Sequence, residues 1–182
     1  RRSRGEEVLR LSDGGLHINA PVPALLRPDR RADLIVLLDA RPRAGEGDDD
    51  ESLDVLKPSQ EYAAKAGLPF PKCTPELMSG VGRRPCTVLR PSPPSPDGCG
   101  GGGGGGGGGG WAGPTVAYVP LRRDERVDAE LDPATTEWCV FTECAYEPAR
   151  FRRLVKLAEA NAAECRDTLL QTLRDALQQR RE

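Results

Sequence analysis

Eleven consecutive glycines, Gly100 to Gly110, interrupt this chain of 182 residues. Backbone without Cβ has the most conformational freedom to lose on ordering, and no side chain with which to recover it. The preceding Pro91-Ser92-Pro93-Pro94 cannot join a strand ladder. Pro91 to Gly110 is therefore predicted to be disordered, the centre of a Pro/Gly-rich insertion over 90–113. A second stretch, 41–54, gathers Glu46, Asp48, Asp49, Asp50, Glu51 and Asp54 around Gly47. Such a like-charge block repels itself into a solvated acidic loop rather than a calcium site. Roughly 145 residues remain, enough for one modest core.

Several function classes fall away on composition. Hydrophobic residues at 37% and aromatics at 4% suit a chain that is partly disordered or incomplete. A net charge of -2 gives no reason to expect nucleic acid. The longest apolar run, Ala32 to Ala40, contains Asp33 and Asp39 and falls far short of the ~20 residues of a membrane span, so no transmembrane segment is expected. Arg1 to Glu7 carries no initiator Met and no apolar signal core, and the chain is expected to be cut from something longer. The six cysteines include no C-x-x-C pair and His17 is the lone histidine, which points to free thiols, with no metal and no cofactor.

The ordered parts alternate strand and helix signals. Asp33 to Asp39 is apolar on both faces and bounded by charge, which predicts a strand in the middle of an α/β sheet. Upstream, Pro21, Pro23 and Pro28 allow only a loop or very short turns. Pro58-Ser59-Gln60-Glu61 reads as a helix start, with Gly67 and Leu68-Pro69-Phe70-Pro71 ending it. Cys86 to Leu89 and Pro114 to Pro120 read as strands able to pair as a hairpin around the insertion. From Glu147 onward, Phe151, Leu154, Val155, Ala158, Ala162, Cys165, Leu169, Leu173 and Leu177 recur on one helical stripe, predicted to face the core. The other face carries Arg152, Lys156, Glu159, Arg166, Asp167, Arg174 and Arg180. It reads as a solvated face, with a helix lying on lipid as the alternative.

Asp13-Gly14-Gly15 ends a short strand and is followed by Leu16, Asn19, Pro21, Pro23, Leu25-Leu26-Arg27-Pro28-Asp29-Arg30 and then Asp33. A carboxylate on a Gly-Gly turn is easily approached by another backbone segment and can serve as base for a serine hydroxyl. In order and spacing, these residues resemble the region around the catalytic aspartate of the cytosolic (group IV) phospholipase A2 and lysophospholipase family. Gly14 departs toward the D-G-G triplet of patatin-like lipases. The resemblance resumes at Ala63 to Lys72, Pro114 to Pro120, Trp138 to Phe141, Tyr146 and Phe151, about two thirds of the chain.

The resemblance implies the C-terminal part of a single patatin-like α/β catalytic domain ending in a long amphipathic helix. It implies a phospholipid acyl-ester hydrolase, cytoplasmic and peripheral at membranes when active, whose substrate is phospholipid at a membrane surface. In that family a serine in a G-x-S-G-S elbow attacks the ester and an aspartate alone is its base. The resemblance gives Asp13 that role, with Gly14, Gly15 and Asn19 supporting it. Arg27 and Arg30 orient the site or face lipid phosphate, Arg30 being nearer the chemistry; plain salt bridges are the other reading of both. The elbow serine, which the family carries upstream, is not in this chain. Ser79 lacks the elbow's first glycine, and His17 is not needed as a catalyst. The fragment alone is expected to be inactive. Two other readings stay open: a non-catalytic lipid-surface or interaction module of the same fold, and an unrelated α/β enzyme in which Asp13-Gly14-Gly15 is only a turn.

Overall fold

The computed structural model describes residues 22–27, 29–40, 53–78, 81, 84–91, 112–139 and 145–180. Asp13, Gly14, Gly15, His17, Asn19, Ser79, residues 41–52 of the acidic loop and residues 92–111 of the insertion lie outside them. A 3-10 turn over Val22–Leu25 leads to strand β1, Leu34–Asp39. Helices α1, Leu53–Ala66, and α2, Pro75–Met78, follow. Strands β2, Thr87–Leu89, and β3, Thr115–Pro120, precede the long helix α3, Pro148–Gln179.

The sheet has the order β1-β3-β2. β1 runs parallel to β3, with Leu34 beside Thr115 and Asp39 beside Pro120. β2 is antiparallel to β3, with Thr87 opposite Tyr118 and Leu89 opposite Val116. The expected hairpin is therefore present. Among the described residues the strand with a neighbour on each side is β3, every residue of which is buried. Among the described residues β1 has β3 on one side only, and Val36 and Leu38 are 47% and 71% exposed. Hydropathy marks both strands as coverable on two faces, and among the described residues only β3 has a partner on each side and layers above and below.

Val116 and Tyr118 join a core with Val22, Leu26, Ile35, Leu56, Ala63 and Met78, contributed by the turn, β1 and the two short helices. Residues of the opposite parity on β3 turn to the other face, where α3 packs against this strand. A smaller cluster, Leu131, Cys139 and Leu157, with Trp138 and Leu154 against it, joins the first half of α3 to the segment after β3.

Helix α1 begins five residues before the expected start at Pro58, so 53 and 54 of the acidic stretch are helical. Pro58, lacking an N–H, leaves the carbonyl four residues earlier without its helical donor. The C-terminal end forms as expected: Gly67, at φ 64°, donates to the Ala64 carbonyl at 3.3 Å and Leu68 N to the Ala63 carbonyl at 2.8 Å, the paired bonds of a Schellman motif. The Leu68-Pro69 segment then passes close to the start of β3. Gly113 has φ 105°, and a Cβ there would stand 2.9 Å from Pro69 Cβ.

The stripe by which α3 packs differs from the one expected. Leu157, Asn161, Cys165, Thr172 and Ala176 are buried, whereas Phe151, Leu173 and Leu177 are 55%, 44% and 52% exposed. Small and polar side chains let the helix approach closely and receive bonds. Asn161 Oδ1 accepts from Arg122 N at 2.8 Å, and Thr172 Oγ1 donates to the Thr168 carbonyl at 2.7 Å. Hydropathy selected the most apolar stripe, and packing selected its neighbour.

Candidate functional site

The described part of the candidate site is the turn that delivers the chain to β1. Val22 and Leu26, 2% and 0% exposed, pin the turn to the core from one side, and Ile35, 5% exposed, anchors β1 from the other. Leu26 N donates to the Pro23 carbonyl at 3.2 Å and Arg30 N to the Arg27 carbonyl at 2.9 Å, closing two successive turns. Arg31 sits at φ 40°, in the left-handed region that a residue with a Cβ adopts only at some cost. With the core holding both flanks, the turn projects the Arg27 and Arg30 side chains outward.

Both arginines are exposed. Arg27 Nε stands 3.4 Å from Asp29 Oδ1, a surface pair with both side chains about two thirds in water. Such a pair adds little stability and leaves the guanidinium available. Arg30 makes no ion pair among the described residues. Two exposed guanidinia on a fixed turn can bind a phosphate or a carboxylate. Beyond them, Asp33 Oδ2 meets Arg180 Nη1 at 3.5 Å, tying the end of α3 to the start of β1.

At the far end of β1, Tyr118 is fully buried in the centre of the sheet, and its hydroxyl donates to Asp39 Oδ2 at 2.7 Å. That bond fixes the carboxyl end of the parallel pair, and nothing in the hydropathy pattern announces it.

The strongest electrostatics lie after β3, in a charged stretch outside any strand or helix. Arg126 donates to Asp124 through its backbone N at 3.0 Å, Nε at 2.8 Å and Nη2 at 2.7 Å. These bonds pull the Asp124 carboxyl down to about 2. Arg122 and Arg126 both reach Glu164 on α3. Arg153 grips Asp128 through Nε at 2.6 Å and Nη2 at 2.9 Å and holds that carboxyl below its usual value. The Arg150 guanidinium lies 5.5 Å from the centre of the Trp138 ring, whose edge meets Tyr146. The pairing of Arg-Arg-Asp-Glu-Arg-Val-Asp with a helix rich in both signs was the available signal. These contacts fasten α3 rather than build a reaction centre.

No group of three or more His, Cys, Asp or Glu side chains among the described residues could hold a metal ion. Cys73, Cys86, Cys139 and Cys165 are free, and burial pushes the thiols of Cys73 and Cys86 up to about 11, against nucleophilic use. No helix among the described residues is long and apolar enough to cross a membrane.

No protein-family model matches the chain. Individual proteins do. Mouse (Mus musculus) cytosolic phospholipase A2 zeta is 28% identical over 179 residues, 97% of this chain and 20% of that protein. Human (Homo sapiens) cytosolic phospholipase A2 epsilon is 31% identical over 187 residues, 94% of this chain and 19% of that protein. Among solved structures, human GIVD cytosolic phospholipase A2 superposes with a TM-score of 0.58 and 23% identity, over 86% of this chain and 20% of that one. The chain thus spans about a fifth of the length of the relatives it matches.

Proposed function

This chain is a relative of the cytosolic phospholipases A2 in sequence and has the fold of a stretch of one of them, and on that premise we propose that it is a segment of a phospholipid acyl-ester hydrolase, cytoplasmic and peripheral at membranes. The observation that carries the reading is Asp13-Gly14-Gly15 followed at fixed spacing by Arg27-Pro28-Asp29-Arg30 and β1, inside a chain related to phospholipases over nearly its whole length.

In the proposed reaction a serine from an upstream segment attacks the acyl carbonyl while the Asp13 carboxylate accepts the hydroxyl proton. A hydroxyl becomes a useful nucleophile only with a base within ~3 Å, and a partly desolvated carboxylate is basic enough to serve. Asp13 then returns the proton to the departing lysophospholipid alkoxide and takes another from the water that hydrolyses the acyl-serine. Gly14 and Gly15 keep the approach to Asp13 free of Cβ atoms, and Asn19 supports the turn. Arg30, with no ion pair among the described residues on a core-anchored turn, meets the phosphate of the lipid; Arg27, weakly held by Asp29, assists it.

The test is Asp13→Asn in a chain carrying the upstream serine. The amide keeps the shape and cannot take the proton. Ester hydrolysis is expected to fall at least ~10²-fold, the usual scale of general base catalysis. Activity within a factor of about two of the parent, a change too small for a lost base, would overturn the assignment.

A further inference from the structure

We propose that Cys86 and Cys165 form a dithiol site, which a small-molecule disulfide oxidises to an intramolecular cross-link between the β2 end of the sheet and α3. Backbone register places the first thiol. Thr87 and Leu89 lie opposite Tyr118 and Val116, and Leu89, Val116 and Tyr118 belong to the core on the α1 side of the sheet. Residues opposite each other in an antiparallel pair share a face, and neighbours along a strand alternate. Cys86, next before Thr87, therefore turns to the other face, where α3 packs, and the same register sets it opposite Val119.

The helix brings Cys165 to the same level. Arg122, just beyond β3, donates from its backbone N to Asn161 Oδ1 at 2.8 Å, and Arg180 meets Asp33 at the start of β1, so α3 runs antiparallel to β3 and along β2. Cys165, 1% exposed, stands one turn past Asn161 on the same buried stripe. A second tie gives the same placement. Arg90, four residues past Cys86, pairs at 2.9 Å with Asp175, ten residues past Cys165. Four residues of strand rise roughly 13 Å and ten of helix about 15 Å, so strand and helix keep step between the two contacts. The other described thiols lie elsewhere: Cys73 packs on the α1-side core, and Cys139 sits with Leu157, two turns before Cys165. Burial and the neighbouring Cys165 both push the Cys86 thiol up, to about 11, as closely placed groups of like charge do.

Cys86 is half-buried and Cys165 buried, which sets the order of events. The Cys86 thiolate attacks one sulfur of the reagent, breaking its S–S bond, forming a mixed disulfide and releasing the first small thiol. Cys165, whose Sγ donates to the Ala162 carbonyl at 3.2 Å, gives up that bond and its proton and attacks Cys86 Sγ. The second small thiol leaves and takes up a proton. The chain loses two electrons and two protons and the reagent gains them, so the exchange balances. The same elevation that argues against a catalytic thiol makes the first attack slow at neutral pH and faster as pH rises. The product is a covalent tie where only the Arg90 to Asp175 and Arg122 to Glu164 pairs otherwise join this side of the sheet to the helix.

The whole folded chain is to be incubated with oxidised glutathione and mapped by mass spectrometry of non-reduced peptides. The expected product joins the peptides of Cys86 and Cys165 within one chain and is undone by dithiothreitol. Its rate of formation should rise about tenfold per pH unit between about pH 7 and pH 9, as for a thiol that titrates near 11. The cross-linked chain should melt at a higher temperature than the reduced one, because the link restricts the unfolded state. Cys86→Ser, at a half-buried position, is expected to give no cross-link and to leave Cys165 free of glutathione in the folded chain. A stable mixed disulfide on Cys86, a link from either residue to Cys73, Cys99, Cys139 or Cys144, a link between two chains, or no oxidation would each overturn the proposal. So would a cross-link that forms only in denaturant or lowers the melting temperature, since the folded backbone would then not hold the two within reach. The readout involves no ester hydrolysis, so its failure leaves the hydrolase reading untouched.

Discussion

At the scale of single residues, the sequence announces backbone requirements better than electrostatic ones. Gly67 and the Leu68-Pro69 break were legible as the end of α1 because only a left-handed residue closes a helix this way. Asp124 was not legible, since its partner lies two residues away in a stretch with no periodicity. Its consequence can nevertheless be worked out. The folded carboxyl, at about 2, titrates below the ordinary carboxylate range near ~3.9, so its contribution to stability is full above about pH 4 and is lost as pH falls toward 2. Asp124→Asn is expected to lower the melting temperature near neutral pH. The gap to the parent should narrow steadily between about pH 4 and pH 2 in a series of thermal melts, the window set by the two pKa values. A gap independent of pH would mean that the Arg126 bonds do not act through the carboxylate charge. The candidate base, Asp13, and Gly14, Gly15 and Asn19 lie outside the described residues; Arg27 and Arg30 stand on one turn, closed by the bond from Arg30 N to the Arg27 carbonyl.

At the scale of elements, β1, β3 and α3 fall within a residue or so of where hydropathy puts them, because each is bounded by proline or charge. What hydropathy could not provide was the partner. It chose a face of α3 beside the one that packs, since it measures how apolar a face is and not what lies against it. The packed face makes its own prediction. Leu157 is fully buried in the small cluster with Leu131 and Cys139, and Leu157→Ala is expected to cost about 2–5 kcal/mol in chemical denaturation. Leu173→Ala, on the exposed stripe, should cost less than about 1 kcal/mol. The insertion belongs to this scale as well. Leu89 and Val116 are ladder partners, so the two ends of the tract between them are already neighbours. Replacing residues 92–111 with a turn of about five residues is expected to leave stability unchanged or slightly raised, since closure entropy grows only logarithmically with length. A large fall in melting temperature or solubility would mean that the tract packs on the domain.

At the scale of the whole molecule, the sheet is a part of an architecture rather than a closed unit. Among the described residues β1 has a single partner, and its outer side offers unpaired backbone flanked by Val36 and Leu38. Such an edge invites pairing with other chains, and the 182-residue chain alone is expected to be prone to self-association. It is also expected to hydrolyse no phospholipid, since removing the nucleophile of a catalytic unit removes most of its rate. Serine-inhibitor-sensitive ester hydrolysis by this chain would reveal a nucleophile other than the one inferred. The α/β class, the hairpin and the terminal helix were readable at this scale because each is a local pattern. The strand order was not, because it depends on pairings between segments far apart in sequence.

Trp138 gives the molecule an optical handle. Its indole packs against the cluster that seats the first half of α3, meets Tyr146 edge-on at 6.1 Å and lies under the guanidinium of Arg150. The chain's other tryptophan is Trp111. Trp111→Phe leaves a single indole, whose emission colour and quenching by iodide would report the seating of α3 separately from the melting of the rest.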